Sequence, residues 1–347
     1  MAILDLTIHG GGIFGLSIAW VAIQRGAKVR LVDPGGVGAG ASGGIVGALA
    51  PHTPERWNDK KGFQFDSLIM AADFWAGVDA ASGLSSGYGR MGRLQPIADD
   101  RALDLAHIRA HQAQDLWQGL ASWQVIAAAD VPWAPSSPSG FLIHDTLSAR
   151  IHPRMACESL AAAIIAKGGQ IMREDDRAAD APTIWATGHQ GLMTLSLDMG
   201  KPVGNGVKGQ AALLAYDARD MPQIFADTMH FIPHADGTLA IGSTTEREFS
   251  GPTATDELLE DVIMRARMAM PALSDAPVIQ RWAGIRPRAK SRAPMLGPWP
   301  GKPGQFIANG GFKIGFGMAP KIAQVMVDLV LEGRDEVPAE FRVEANL

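Results

Sequence analysis

LDLTIHGGGIFGLSIAWVAIQRGAKVRLVDP, residues 4–34, reads as strand, glycine turn, helix and strand. Leu4 to His9 is a short apolar run with β-branched residues. Gly10, Gly12 and Gly15 follow in the pattern G-x-G-x-x-G and open a helix from about Ile13 to Gly26, and Ala27 to Val32 supplies the second strand. Each glycine has a physical task. The first permits the tight turn, the second lets a pyrophosphate approach the backbone, and the third lets the helix pack closely on the sheet. The helix N-terminus then faces the phosphate charge. Asp33 ends the second strand, 18 residues after Gly15, where a carboxylate accepts hydrogen bonds from a ribose and repels a 2′-phosphate. The stretch predicts a bound dinucleotide and leaves open whether it carries nicotinamide or flavin.

Composition narrows the class. A chain of 347 residues, 47% hydrophobic and 19% charged, buries a large core and has room for two domains. The net charge of −5, with Lys and Arg scattered, offers no basic surface for nucleic acid. The single cysteine, Cys157, excludes an internal disulfide and a cysteine-rich metal site. It lies in a helical pattern among Met155, Leu160 and Ala161 and reads as a buried structural thiol, and no metal site is expected. No charged n-region precedes the first apolar run, which is already used as a strand. No apolar stretch approaches the ~18 residues of a membrane span. A cytoplasmic protein without a transmembrane segment is expected.

After Asp33, seven glycines between Gly35 and Gly47 preclude an ordinary helix interior and suit close wrapping of a ligand, with a plain flexible loop as the alternative. Ser42, Gly43 and Gly44 are the candidate contacts there. Helical patterns run from Phe63 to Val78, Arg101 to Ala121, Pro153 to Lys167, Glu257 to Met270 and Met318 to Glu332. Strands are expected after the turn at Tyr88, at Phe141 to His144, from Gln170, and in Pro182 to Gly188. Further strands are expected at Leu213 to Tyr216, His230 to Pro233, Thr238 to Gly242, Val278 to Ile285 and Gln305 to Asn309. The order is α/β, mixed, α/β, antiparallel β, then a last strand and helix. A nucleotide domain interrupted twice by a substrate domain explains that order, with 1–80, 147–203 and 287–347 in the first and 81–146 and 204–286 in the second.

These stretches resemble the D-amino-acid oxidase superfamily of FAD-dependent oxidoreductases, most of all its glycine oxidase-like branch. The carriers are GGGIFG with Asp33, ASGGIVGALAP at 41–51, YGRMGRLQP at 88–96, IHPRMACESLAAAIIAKGGQI at 151–171 and IWATG at 184–188. They continue with VKGQ at 207–210, FIPHADGTLAIGSTTE at 231–246, RWAGIRP at 281–287 followed by PMLG, and NGGFKIGFGMAP at 309–320. The resemblance implies an α/β plus α+β fold, a Rossmann-like FAD-binding domain interleaved with an antiparallel-sheet substrate domain. It implies FAD, held non-covalently because no cysteine lies near the C-terminal flavin loop.

The resemblance also assigns residues. The dinucleotide half falls on Gly10, Gly12, Ile13, Phe14, Gly15 and Asp33. Ser42, Gly43, Gly44 and Gly47 then pass the pyrophosphate and flavin, followed by Ala186, Thr187 and Gly188. The flavin ring is embraced by Gly310, Gly311, Phe312, Lys313, Ile314, Gly315 and Phe316. Arg286 of the GxRP motif implies a bidentate pair with an amino-acid carboxylate, the alternative being a domain-interface arginine. His230 stands where such proteins often have tyrosine and is either a substrate contact or a satisfied sheet histidine. Lys313 stands where arginine is frequent, either as a flavin-side cation that promotes oxygen reactivity, as a partner for an acidic substrate group, or as a solvent-facing residue. His52 is a further candidate near the flavin. The segment 172–183 is shorter than the family's usual β-meander.

The implied activity is oxidation of glycine, sarcosine or a small D-amino acid by hydride transfer to flavin N5, hydrolysis of the imine, and reoxidation by oxygen. The alternatives are a dehydrogenase of the same fold using a quinone or protein acceptor, a non-catalytic FAD-binding subunit, and an NAD-dependent dehydrogenase. The implied partners are a small amine or amino acid and oxygen or another electron acceptor, with homo-oligomerisation open.

Overall fold

The computed structural model describes residues 4–174 and 181–347. Its elements are β1 (Leu6–His9), α1 (Ile13–Gln24), β2 (Val29–Val32), β3 (Ala48–Leu49), α2 (Asp59–Ser82), β4 (Arg93–Pro96), α3 (Asp100–Leu116), β5 (Trp123–Ala127), β6 (Phe141–Asp145) and β7 (Ala149–Arg150). They continue with α4 (Pro153–Ala166), β8 (Gln170–Met172), β9 (Thr183–Trp185), α5 (Gly188–Asp198), β10 (Gly204–Leu214), β11 (Gln223–Ala226), β12 (Met229–Pro233) and β13 (Leu239–Gly242). The last are α6 (Glu257–Ala269), β14 (Val278–Ala289), β15 (Met295–Pro298), β16 (Gln305–Asn309) and α7 (Gly315–Glu332). Of the shortened segment 172–183, residues 175–180 lie outside the described residues.

Two large sheets organise this α/β and α+β fold. The first has the order β15-β16-β9-β1-β2-β8 and is parallel except for β15, which pairs antiparallel with β16. β1 sits between β2 and β9, in register Thr7 to Arg30 on one side and Thr7 to Thr183 on the other. The connections therefore leave β1 in opposite directions at its C-terminal edge, the position where open α/β sheets form a ligand crevice. α1 is apolar on every side, as only a helix buried all round can be. It packs against α7 and α4, and Leu16, Ile18, Ala19 and Ala22 are solvent-inaccessible.

The second sheet has the order β14-β10-β13-β12-β11-β4-β6-β5. Its spine is the long β10/β14 pair, from Gly204 opposite Ala289 to Leu214 opposite Val278. α6 covers one face, laying Leu259, Val262, Ile263 and Ala266 on Ala212, Leu214 and Ile241. The expected antiparallel character holds with one exception, the parallel pair β4/β11. A hairpin forces antiparallel pairing, whereas β11 returns to β4 only after the chain has crossed the first sheet, so its direction is free.

Several boundaries differ from expectation for local reasons. α3 stops at Leu116 because Gln118 and Gly119 both take left-handed backbone, φ 53° and 72°. α7 begins three residues earlier than expected and runs through Pro320. β10 begins at Gly204, nine residues before the expected strand, because glycines and Lys208 interrupt its apolar alternation. β3, β5, β7, β11, β15 and α5 are additional elements. Among the described residues no helix is long and apolar enough to cross a membrane.

Candidate active site

A cavity of about 1390 Å³ runs from the C-terminal edge of the parallel strands to the β12/β14 face of the second sheet. Three helices begin on its wall: α1 at Ile13, α5 at Gly188 and α7 at Gly315. None of the three is capped by the side chain of its own N-cap residue. α2, α3, α4 and α6 are each capped by a side chain, from Asn58, Asp99, His152 and Asp256. A helix N-terminus leaves amide donors without intrahelical partners and carries partial positive charge. Three such ends converging on one space make a receptor for an anionic ligand with several phosphate or carbonyl oxygens.

The turn before α1 is shaped for close approach. Gly10 has φ +114°, and a Cβ there would lie 2.3 Å from the Ala186 carbonyl oxygen. A Cβ on Gly15 would lie 1.9 Å from the Gly10 carbonyl oxygen, so this glycine sets the packing of helix on strand. Ser42 Oγ accepts a hydrogen bond from the Ile13 amide at 3.0 Å and so ties the glycine-rich segment to the helix start. Asp33 accepts from the Gly11 amide at 2.6 Å and from the Gly35 amide at 2.8 Å. Its oxygens retain lone pairs for a ribose hydroxyl. The helix ends, the glycine turn and the terminal acid together fit a dinucleotide such as FAD.

At the other end the wall is made of side chains. Arg286 is half-buried in β14 and makes three donor contacts: Nη1 to Ser243 Oγ at 2.7 Å, and Nη2 to the carbonyls of Lys208 at 3.2 Å and Thr244 at 2.6 Å. Its Nε is buried without a hydrogen-bond partner. Burial lowers the guanidinium pKa to about 10, partly opposed by nearby Glu246. His230 of β12 packs its ring on Phe225 at 4.7 Å, and its Nδ1 is buried without a partner. Burial first, then the positive charges of Arg93 and Lys313, push its pKa down to about 3, so the ring is neutral at physiological pH. Lys313 donates from Nζ to Thr245 Oγ1 at 2.9 Å, and its pKa is lowered by desolvation and by Arg286.

The segment 243–246 that holds both cations is itself anchored by a buried network. Glu246 accepts at Oε1 from Thr244 Oγ1 and from Gln210 Nε2, the latter at 3.0 Å, and its Oε2 lies 3.3 Å from Lys208 Nζ. Lys208, only 2% exposed, also meets Asp256 at 3.3 Å.

The structure brings most of the expected residues to this one wall: Gly10, Gly12, Ile13, Phe14, Asp33, Ser42, Gly44, Gly47, Ala186, Thr187, Gly188, His230, Arg286, Gly311, Phe312, Lys313, Gly315 and Phe316. Gly15, Gly43, Gly310 and Ile314 stand behind it. His52 is also off the wall; its amide donates to Gln64 Oε1 at 2.7 Å and its ring Nδ1 meets the same oxygen. Cys157 is buried, its thiol pushed up to about 12. Sequence reasoning missed Ser243, Thr244 and Thr245, although they stand in the GSTTE run that it quoted. It also missed Trp282, and Trp185, whose ring stacks on His9 at 4.2 Å in the cavity wall.

The model of the FAD-dependent oxidoreductase (DAO) family matches residues 5–329. The glycine oxidase of Pseudomonas putida is 27% identical over 381 residues, covering 99% of both chains. Among solved structures, glycine oxidase from Geobacillus kaustophilus superposes with a TM-score of 0.82 at 19% identity, covering 98% of both chains. Iminodiacetate oxidase from Chelativorans sp. BNC1 superposes with a TM-score of 0.82 at 22% identity, covering 97% of this chain and 98% of that one.

Proposed function

The chain belongs to the family of FAD-dependent oxidoreductases and is an amine or amino-acid oxidoreductase of the glycine oxidase type, and from that premise we propose that it oxidises a small amino acid at the carbon bearing nitrogen. The observation that carries the reading is one cavity with three helix starts at one end and, at the other, Arg286 with an unpartnered Nε. In this reading the N-terminal wall from Gly10 to Gly47, with Ala186 to Gly188, holds the dinucleotide. The 311–316 turn, with Phe312 and Lys313, borders the flavin. The division of labour follows the two sheets, the discontinuous 1–80, 147–203 and 287–347 part carrying the cofactor and the 81–146 and 204–286 part the substrate.

FAD bound along that wall would supply a two-electron acceptor for hydride from the substrate carbon. The chain's own residues do the rest. Arg286 receives the carboxylate with the donors left free by Ser243, Lys208 and Thr244. Phe225 and Trp282 give that end apolar walls that exclude water from the reacting carbon. Hydride departure requires an unprotonated amine, whose lone pair becomes the second bond of the imine. A histidine whose conjugate acid has a pKa near 3 cannot retain the ammonium proton at neutral pH. His230 therefore orients the amine by hydrogen bonding, and the proton leaves to solvent. Water hydrolyses the released imine to an oxo acid and ammonia or an amine. Oxygen is the proposed terminal acceptor, giving hydrogen peroxide.

The test is the visible absorbance of the purified protein, recorded anaerobically with glycine, sarcosine, D-alanine and D-proline, followed by admission of air and assay of peroxide. Bleaching by one amine and peroxide on reoxidation are expected. A flavin band that no primary or secondary amino acid bleaches sinks the reading.

A further inference from the structure

Arg286 and Lys313 line the cavity at its substrate end, and Arg288 stands outside that lining. Phe312 takes left-handed backbone, φ 43°, an uncommon state for a bulky residue, and its amide donates to the Pro287 carbonyl at 2.9 Å. This conformation sets the ring among three cations. Arg286 Cζ lies 5.7 Å from its centroid, Arg288 Cζ 5.8 Å and Lys313 Nζ 5.8 Å. Arg286 and Arg288 are two residues apart on β14 and so share one face of the strand.

Among the described residues no carboxylate pairs with Lys313 or Arg288. Glu246, the acid that acts on Arg286, is engaged by Lys208. Arg247 and Arg292 add positive charge beside Arg288 and lower its pKa after desolvation. A monocarboxylate on Arg286 leaves Lys313 and Arg288 uncompensated. An aromatic face attracts cations weakly and does not neutralise them.

Resting on the amine-oxidation reading, we propose that the substrate carries a second anionic group besides the carboxylate on Arg286. That group, a carboxylate or its isostere, is received by Lys313 with Arg288 at the rim. The preferred substrates are accordingly dianionic amino acids, with the second acid on the nitrogen substituent or the side chain. His230, packed on Phe225, places no carboxylate at that end.

The experiment uses the FAD-loaded protein and two ligands with no oxidisable amine, methoxyacetate with one carboxylate and diglycolate with two. Dissociation constants are read from perturbation of the flavin spectrum. Diglycolate is expected to bind about tenfold tighter than methoxyacetate, as one added charge-assisted contact provides. The ratio falls below about threefold in Lys313→Met and shrinks in Arg288→Met and in high salt. Equal binding of both ligands by the wild type overturns the proposal. So does a diglycolate preference that survives Lys313→Met. A Lys313→Met variant that shifts the flavin spectrum and weakens both ligands alike also overturns it, because the cation then serves the flavin. Anaerobic reduction by glycine and by iminodiacetate separates the two readings. If neither bleaches the flavin while diglycolate remains preferred, amine oxidation fails and the dianion site stands. If glycine bleaches it and diglycolate is not preferred, the reverse holds.

Discussion

Glu246 touches neither end of a substrate, yet its charge fixes the segment that does. Replacing it as Glu246→Gln preserves shape and removes the negative partner of Lys208, a lysine 2% exposed. Breaking a buried ion pair from one side costs about 3–5 kcal/mol when nothing replaces the partner. Here Asp256, its side chain 49% exposed, remains 3.3 Å from the ammonium and partly replaces the lost charge, so we expect less, ~2–3 kcal/mol. With an unfolding entropy of about 2.1 cal/mol/K per residue over this chain, that corresponds to a fall in Tm of about 3–4 °C. The functional effect is separate from the stability effect. Thr244 Oγ1 loses its carboxylate acceptor, and the Thr244 carbonyl and Ser243 hydroxyl that orient Arg286 lose their anchor. KM for the carboxylate substrate is expected to rise about tenfold, with kcat and flavin content little changed. Thermal unfolding, flavin absorbance and steady-state kinetics measure the three quantities. The reasoning is refuted if Glu246→Gln unfolds within 1 °C of the parent and keeps its KM.

Four further outcomes follow from single observations. Gly15→Ala places a Cβ 1.9 Å from the Gly10 carbonyl oxygen, so α1 must move and the protein should purify without flavin; a yellow variant with the parent's absorbance ratio contradicts this. Arg286→Lys strands the Lys208 and Thr244 carbonyls and loses the planar fork, raising KM by about 30–100-fold, equivalent to ~2–3 kcal/mol, while leaving flavin content intact. Cys157, buried with its thiol pushed up to about 12, should resist a thiol reagent at pH 8 in the native state and react once per chain in denaturant; native labelling on the minute scale disproves the burial. His230 and His234, with folded pKa values of about 3 and about 4 against 6.5, stay neutral in the fold while the unfolded chain takes up protons below pH 6.5. Stability is therefore intact above pH 6.5 and lost as pH falls toward 4, by at most about 1.4 kcal/mol per pH unit for each histidine, and His230→Gln should flatten the urea-midpoint profile in that window.

The cofactor end of the site was legible in sequence because its chemistry is backbone chemistry. Gly10, Gly12 and Gly15 are spaced by the geometry of one turn and one helix, and Asp33 closes the neighbouring strand, so local pattern and site coincide. The substrate end was legible only through resemblance. Arg286, His230 and Lys313 come from β14, β12 and the turn before α7, and nothing in local periodicity joins them. The supports of Arg286 show the same limit. Ser243 and Thr244 lie next to β13, and their role appears only when β10, β13 and β14 are side by side. His52 shows the opposite error, a residue close in sequence to the cofactor segment whose ring is turned to Gln64 instead.

This division explains which parts of the molecule are free to change. In the proposed reading the dinucleotide is met by amides at three helix starts, and no side-chain substitution alters an amide's charge. The substrate is there met by side chains seated on the Lys208–Glu246 network, where one replacement resets the charge presented to the ligand. His230 and Lys313 can each be replaced without touching the Lys208–Glu246 pair or the glycine turn. In the proposed reading the same scaffold keeps its oxidoreductase chemistry while the cations around Phe312 select an amino acid with two acids.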